Sequence, residues 1–192
     1  MQPLIDNARA FGRRPEEFTR LADGQSPQVL FITCSDSRVV PALITGARPG
    51  ELFELRTAGN IVPPNDSRHP TGEAATIEYA VEVLGVQDVV VCGHSHCGAV
   101  GALVRGDDLT AVPAVRDWLA HATPPPSGTT DDPTVAEGVQ NHVLTQLLRL
   151  RSYPCVARRL SDGRLNLHAW YYEVHTGSVL AHHADTDAFE AL

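Results

Sequence analysis

The amino-acid sequence predicts an α/β fold with a mostly parallel central β-sheet flanked by helices. Three observations carry that reading. Gln28–Cys34 and Val86–Cys92 are near-continuous, Val/Ile/Leu-rich runs, the composition of strands buried on both faces. Segments with helical spacing alternate with them, as in chains that build parallel sheets. Finally, two of the strands end in cysteine and histidine clusters, and parallel sheets place their sites at the carboxyl ends of strands.

Taken in order, the polar N-terminal part, to about Asp23, has spaced apolar residues and reads as one or two short helices. Gln28–Cys34 is the first strand, and Glu51–Leu55 is a second, weaker one. Gly72–Leu84 reads as a helix, because Ile77, Ala80, Val81 and Leu84 share a face. Thr71 is its N-cap, Glu73 suits the first turn, and Gly85 is the stop. Val86–Cys92 is the third strand. Helices follow at Gly98–Val104, Val112–Ala120 and Val135–Leu150. Leu165–Val174 and Val179–Ala181 form a hairpin about His175–Ser178. Thr123–Pro133, rich in Pro, Gly, Ser and Thr, reads as a surface loop inside one unit rather than a linker.

The chain has 192 residues, the size of a single domain spanning 1–192 with a helical arm over about 1–23. Its net charge of −8 argues against a nucleic-acid or anionic-membrane partner, which needs clustered Lys and Arg. No apolar run approaches the ~18 residues of a membrane span. Met1–Arg14 has no hydrophobic leader core, so the expected location is cytoplasmic. Four cysteines are too sparse for a disulfide scaffold and read as ligands, catalytic thiols or core residues.

The chemistry lies at two strand ends. In Cys34-Ser-Asp-Ser-Arg38, alternate residues point the same way along an extended chain, so Cys34 and Asp36 share a side, with Arg38 joining them if the extension continues. In Cys92-Gly-His-Ser-His-Cys-Gly98, His94 and Cys97 are three apart across a glycine-flanked turn, which lets both converge on one ion. Two thiolates and one imidazole form a zinc set with one position open, as in catalytic zinc sites. Asp36 either fills the fourth position or acts on what fills it. A cysteine ending a strand is most often a small core residue, and either fragment alone would be read so. It is their pairing at parallel strand ends that points to metal. Cys92, continuing Val89–Val91, and Cys155, without a neighbouring ligand, read as core.

Rival motifs fail. No Cys-x-x-Cys pair is present. The phosphatase pattern His-Cys-x5-Arg would need Arg at 103, where Leu103 stands. A phosphate-binding Gly-rich loop with Lys is absent. The remaining histidines lack ligand spacing, apart from the adjacent pair His182 and His183.

Cys34-Ser-Asp-Ser-Arg38 together with Gly93-His-Ser-His-Cys-Gly98 resembles the β-class carbonic anhydrases. The resemblance runs through Gly24-Gln-Ser-Pro27, Pro49-Gly-Glu-Leu-Phe53, Arg56-Thr-Ala-Gly-Asn60, Glu78-Tyr-Ala-Val81 and Leu165–Tyr172, where Ala169 stands in place of a more usual Gly. Gln25–Pro27 and Tyr79 make it similar to the plant-like branch. A branch with a non-catalytic bicarbonate site has Trp where this chain has Phe31, so that site is not expected. The resemblance implies Zn²⁺ on Cys34, His94 and Cys97, with Asp36 and Arg38 as a dyad beside it. It implies a CO₂ pocket lined by Gln25, Phe53 and Tyr79, with the Gly98 N–H facing substrate or zinc-bound oxygen. It also implies a homodimer or larger homo-oligomer whose N-terminal helices pack on the partner. The activity implied is zinc-dependent reversible hydration of CO₂ to bicarbonate and a proton. Hydrolysis of an analogue such as COS or CS₂ on the same fold, and a non-catalytic zinc-structured or bicarbonate-binding module, are the alternatives. The Asp36–Arg38 pair argues against the last, since a structural site has no need of it.

Overall fold

A computed structural model describes residues 1–12, 18–122, 128 and 131–192. Six strands form one sheet in the order β2-β1-β3-β4-β5-β6. These are β1 (Val29–Cys34), β2 (Leu52–Thr57), β3 (Asp88–His94), β4 (Asn166–Tyr172), β5 (Val179–His183) and β6 (Ala188–Ala191). The first four run parallel, with Ile32 beside Leu55 and Val91 and with Val91 beside Ala169. β5 and β6 are antiparallel additions at the β4 edge.

The helices are α1 (Gln2–Phe11), α2 (Pro41–Thr45), α3 (Gly72–Glu78), α4 (Gly98–Arg105), α5 (Pro113–Leu119), α6 (Ala136–Arg151) and α7 (Pro154–Ser161). The strand pleat sorts the core. Leu30, Ile32, Val89 and Val91 face one way and pack with Ile77 of α3, Val139 and Val143 of α6, and Val156 of α7. Phe31, Val90 and Cys92 face the other way, with Val29, Trp170 and Tyr172 around them. None of the α3, α6 or α7 residues belongs to that second cluster.

The central parallel sheet is as the sequence predicts. Several local readings need correction. Gly72–Leu84 is not one regular helix: Thr71 Oγ1 caps it by accepting from the Ala74 N–H, but Tyr79–Leu84 is wound as a π-helix. β3 extends past Cys92 to His94. α2 and α7 are helices beyond those expected, and Pro41 and Pro154 open them. Each occupies the first turn of a helix, where the missing N–H is not needed. The last hairpin continues into β6, whose short sequence Ala-Phe-Glu-Ala is too weakly patterned to stand out. The expected loop at Thr123–Pro133 falls mostly outside the described residues.

One contact sets the height of α6 over the site. A Cβ on Gly93 would lie 2.5 Å from Val139 Cγ1 and 2.7 Å from Val143 Cγ2. Only glycine lets the helix approach β3 this closely.

Candidate metal centre

β1 and β3 are neighbours in parallel register, so their carboxyl ends lie side by side. This places Cys34, the last residue of β1, near His94, the last of β3. The chain then turns through Ser95 and His96, with φ of +57° at His96, and returns Cys97 as the residue capping α4. The ligand atoms of Cys34, His94 and Cys97 all fall within 4.8 Å of one another, and all three residues are buried. No other such group occurs among the described residues.

The donor set fits a soft or borderline divalent cation such as zinc. His94 Nδ1 donates to the Ser95 carbonyl at 2.9 Å, which fixes the tautomer and leaves Nε2 with a lone pair. That Nε2 is buried without a hydrogen-bond partner, and a metal ion is the natural occupant for such an atom. A hydrogen bond from Cys97 draws the Cys34 thiol far below its ordinary value, with lesser help from His94 and the backbone N–H groups. The Cys34 bond and burial push Cys97 up in turn. A dication among them removes the reason for the asymmetry, because it favours two thiolates.

Beside this cluster Asp36 and Arg38 form a two-pronged pair. Arg38 Nε donates to Oδ1 at 2.9 Å and Nη2 donates to Oδ2 at 2.7 Å, while the Arg38 backbone N–H adds a third bond to Oδ1. The guanidinium holds the carboxyl well below the usual carboxylate range. Asp36 Oδ2 lies 3.9 Å from His94 Nε2, at the edge of the cluster. Arg38 is itself steadied by the His96 carbonyl at 3.1 Å.

Three supports are not visible in the motifs. Arg56 of β2 donates to the carbonyls of Cys34, Asp36 and Val39, pinning the loop that presents Asp36. Trp118 Nε1 of α5 donates to the Ala58 carbonyl at 2.8 Å. His142 Nε2 of α6 donates to the Gly59 carbonyl at 2.8 Å. These two hold the 58–60 turn, and its Gly59 N–H points at Cys34 Sγ, 3.4 Å away. Gly59 has φ of +72°, and a Cβ there would meet the Ala99 Cβ at 3.1 Å, so the turn needs glycine twice over. Arg56 stands in one of the resembling segments, but its backbone partners leave no spacing signal. His142 has no ligand spacing because it is not a ligand.

Of the expected pocket residues, Phe53 and Tyr79 pack with ring centroids 6.0 Å apart. Gln25 lies exposed on the segment before β1, and Gly98 opens α4 directly after Cys97. Cys92 and Cys155 are buried and outside the cluster, consistent with core roles.

A family model described as carbonic anhydrase matches residues 29–179, most of the chain and all of this site. The chain belongs to the carbonic anhydrase family. It is 47% identical over 190 residues to a carbonic anhydrase of Pseudomonas aeruginosa, covering 93% of this chain and 86% of that one. A carbonic anhydrase of Synechococcus elongatus is 45% identical over 193 residues, covering 94% and 71%. Among solved structures, the β-carbonic anhydrase CcaA superposes with a TM-score of 0.89 at 39% identity, covering 100% of this chain and 99% of that one. A tetrameric β-carbonic anhydrase from Sordaria macrospora gives 0.78 at 27% identity, covering 94% of each. The fold is thus that of the β-carbonic anhydrases, and the chain is an enzyme of that family.

Proposed function

We propose that this carbonic anhydrase catalyses the reversible hydration of CO₂ to bicarbonate and a proton with zinc on Cys34, His94 and Cys97. The observation that carries the reading is the buried Cys-His-Cys cluster with a carboxylate–guanidinium pair at its open side. A zinc ion held there would supply Lewis acidity, bringing water ionisation toward the neutral range, an effect whose size is known from a carbonic anhydrase with a three-histidine zinc site. Two thiolates give the metal more charge than two imidazoles would, which supports a more basic nucleophile here.

The chain's own residues do the rest. Asp36 stays ionised because Arg38 holds it, so Oδ2 keeps a free lone pair to accept a hydrogen bond from the attacking water. That bond turns the water's remaining lone pair toward carbon. The guanidinium of Arg38 cannot lose its proton at working pH, so the pair does not collapse during turnover. The Phe53–Tyr79 face supplies apolar surface for an apolar substrate, with Gln25 and the Gly98 N–H as candidate donors to its oxygens. Gln25 and Tyr79 also support a place in the plant-like branch. The functional unit is a homodimer or a larger homo-oligomer.

Metal analysis with stopped-flow CO₂ hydration tests the reading, and a parallel COS assay separates the analogue hydrolase from it. Cys97→Ser should lose zinc and activity together. Full zinc occupancy in that variant would remove Cys97 from the ligand set.

A further inference from the structure

α6 carries a buried polar pair that the reaction does not use. His142 is 1% exposed and Gln146 is 0% exposed, one helical turn apart. Their bonds form a continuous line. The Val62 N–H donates to Gln146 Oε1 at 2.9 Å, and Gln146 Nε2 meets His142 Nδ1 at 3.4 Å. Gln146 Nε2 can only donate, so Nδ1 accepts and the ring proton sits on Nε2. Nε2 then donates to the Gly59 carbonyl at 2.8 Å. On the other side of the same residue, the Gly59 N–H donates to Cys34 Sγ at 3.4 Å. The neighbouring carbonyl, Ala58, is held by Trp118.

We infer that His142, set in one tautomer by Gln146, is a positioning residue. By holding the Gly59–Asn60 peptide it fixes the turn from one side, as Trp118 fixes the Ala58–Gly59 peptide from the other, so that the Gly59 N–H stays on the Cys34 sulfur and tempers the electron donation of that thiolate to the metal. The inference rests on Cys34 being a metal ligand. A hydrogen bond to a thiolate lowers the energy of the sulfur lone pairs, which weakens donation and stabilises the deprotonated ligand. Partners bonded directly to a metal's ligands commonly change its affinity by roughly 10–100-fold on mutation, and His142 acts one bond further out, so the lower end of that range applies. The clamp is specific in its geometry. It needs a donor at the Nε2 position, which glutamine reproduces and leucine does not.

The test uses the full chain loaded with Co²⁺, Cd²⁺ or Zn²⁺. Wild-type protein that takes up none of these ions overturns the metal-site reading itself, and this is read before any variant. In the ¹¹³Cd-loaded protein, the Gly59 amide proton should show coupling to cadmium through the N–H···S bond; no coupling would overturn the clamp. His142→Leu should shift the thiolate-to-cobalt charge-transfer band to lower energy and release zinc to a chelator about tenfold faster. His142→Gln should restore both. Gln146→Leu, which frees the tautomer but keeps the ring, should shift the band in the same direction. It stands in for His142→Leu should that variant not fold. A merely structural His142 would lower thermal stability and leave the band and the cadmium coupling unmoved, and that result in a folded variant would sink the inference.

Discussion

Asp36 is the side chain for which two roles compete. As a fourth ligand it would close the Cys-His-Cys set; as the partner of Arg38 it leaves the set open. The structure holds the Arg38-paired arrangement, with Oδ2 at 3.9 Å from His94 Nε2. Hydroxide competes better for the metal as pH rises, so activity should rise through about pH 7–8.5, the range set by zinc acidifying its water. Asp36 is not the group titrating there, because its carboxyl sits below the usual carboxylate range. Asp36→Ala should keep zinc, since three ligands remain, and lose CO₂ hydration by on the order of 10²-fold. Metal analysis and stopped-flow rates between pH 6 and 9 check both. Near-normal rates at pH 8.5 would reduce Asp36 to a gate, and zinc loss would make it an obligatory ligand.

His142 makes a separate prediction about stability. Burial lowers its pKa from 6.5 to about 4, so the folded state carries it neutral. The unfolded chain binds a proton at 142 near pH 6.5 and the folded chain only near 4. Stability from this residue is therefore full above pH 6.5 and is lost as pH falls toward 4, by about 3 kcal/mol at most. Denaturant melts of wild type and His142→Gln at pH 7 and pH 4.5 should differ in slope with pH, the variant losing less. Parallel losses would show that His142 is charged or solvated in the fold. The Cys-His-Cys cluster is legible in the sequence because its members lie within a few residues of strand ends. His142, Trp118 and Arg56 are not, because each binds a main-chain carbonyl, and any sequence offers one.

At the scale of elements, sheet and site are tied through Gly93. β1 and β3 are legible from uninterrupted apolar runs, since both faces of a central parallel strand are covered. α2 and β6 escape the sequence reading because five and four residues hold little pattern. What the pattern could not give is distance. The valine methyls that a Gly93 side chain would strike, 2.5 and 2.7 Å from its Cβ, belong to Val139 and Val143, far along the chain on another element. Gly93→Ala must push α6 away from β3, at a cost of roughly 1–3 kcal/mol for an overpacked core. Because His142 rides on α6, the same shift should loosen the Gly59 turn. The expected result is a Tm lower by several degrees, together with faster zinc release. An unchanged Tm would mean that Val139 and Val143 can rotate aside without moving the helix.

At the scale of the whole molecule, α1 presents an apolar surface with no cover of its own, and the second sheet face carries an open hollow. α1 has no buried residue, and its Leu4 and Phe11 are 65% and 59% exposed. On the second sheet face, beside buried Phe31 and Val90 and half-buried Trp170, lies a cavity of about 550 Å³ lined also by Val29, Leu52, Glu51 and Asp88. A ten-residue helix is marginal in water without a surface to pack on. Contiguous apolar patches of this kind mark association sites. A second copy would supply both needs at once, because a two-fold arrangement would let each arm cover the other's sheet. The net charge of −8 does not oppose this at α1, which carries one Asp and one Arg, Asp6 and Arg9, paired at 3.3 Å. Light scattering at micromolar concentration should therefore give a multiple of 20.7 kDa. Removing residues 1–12 should lower the mass or the Tm, and Phe11→Asp should do so with the chain length intact. A single 20.7 kDa species from the full chain would contradict the assembly. An unchanged oligomer in both variants would move the interface off α1 and leave the sheet face or its edges to hold the copies together.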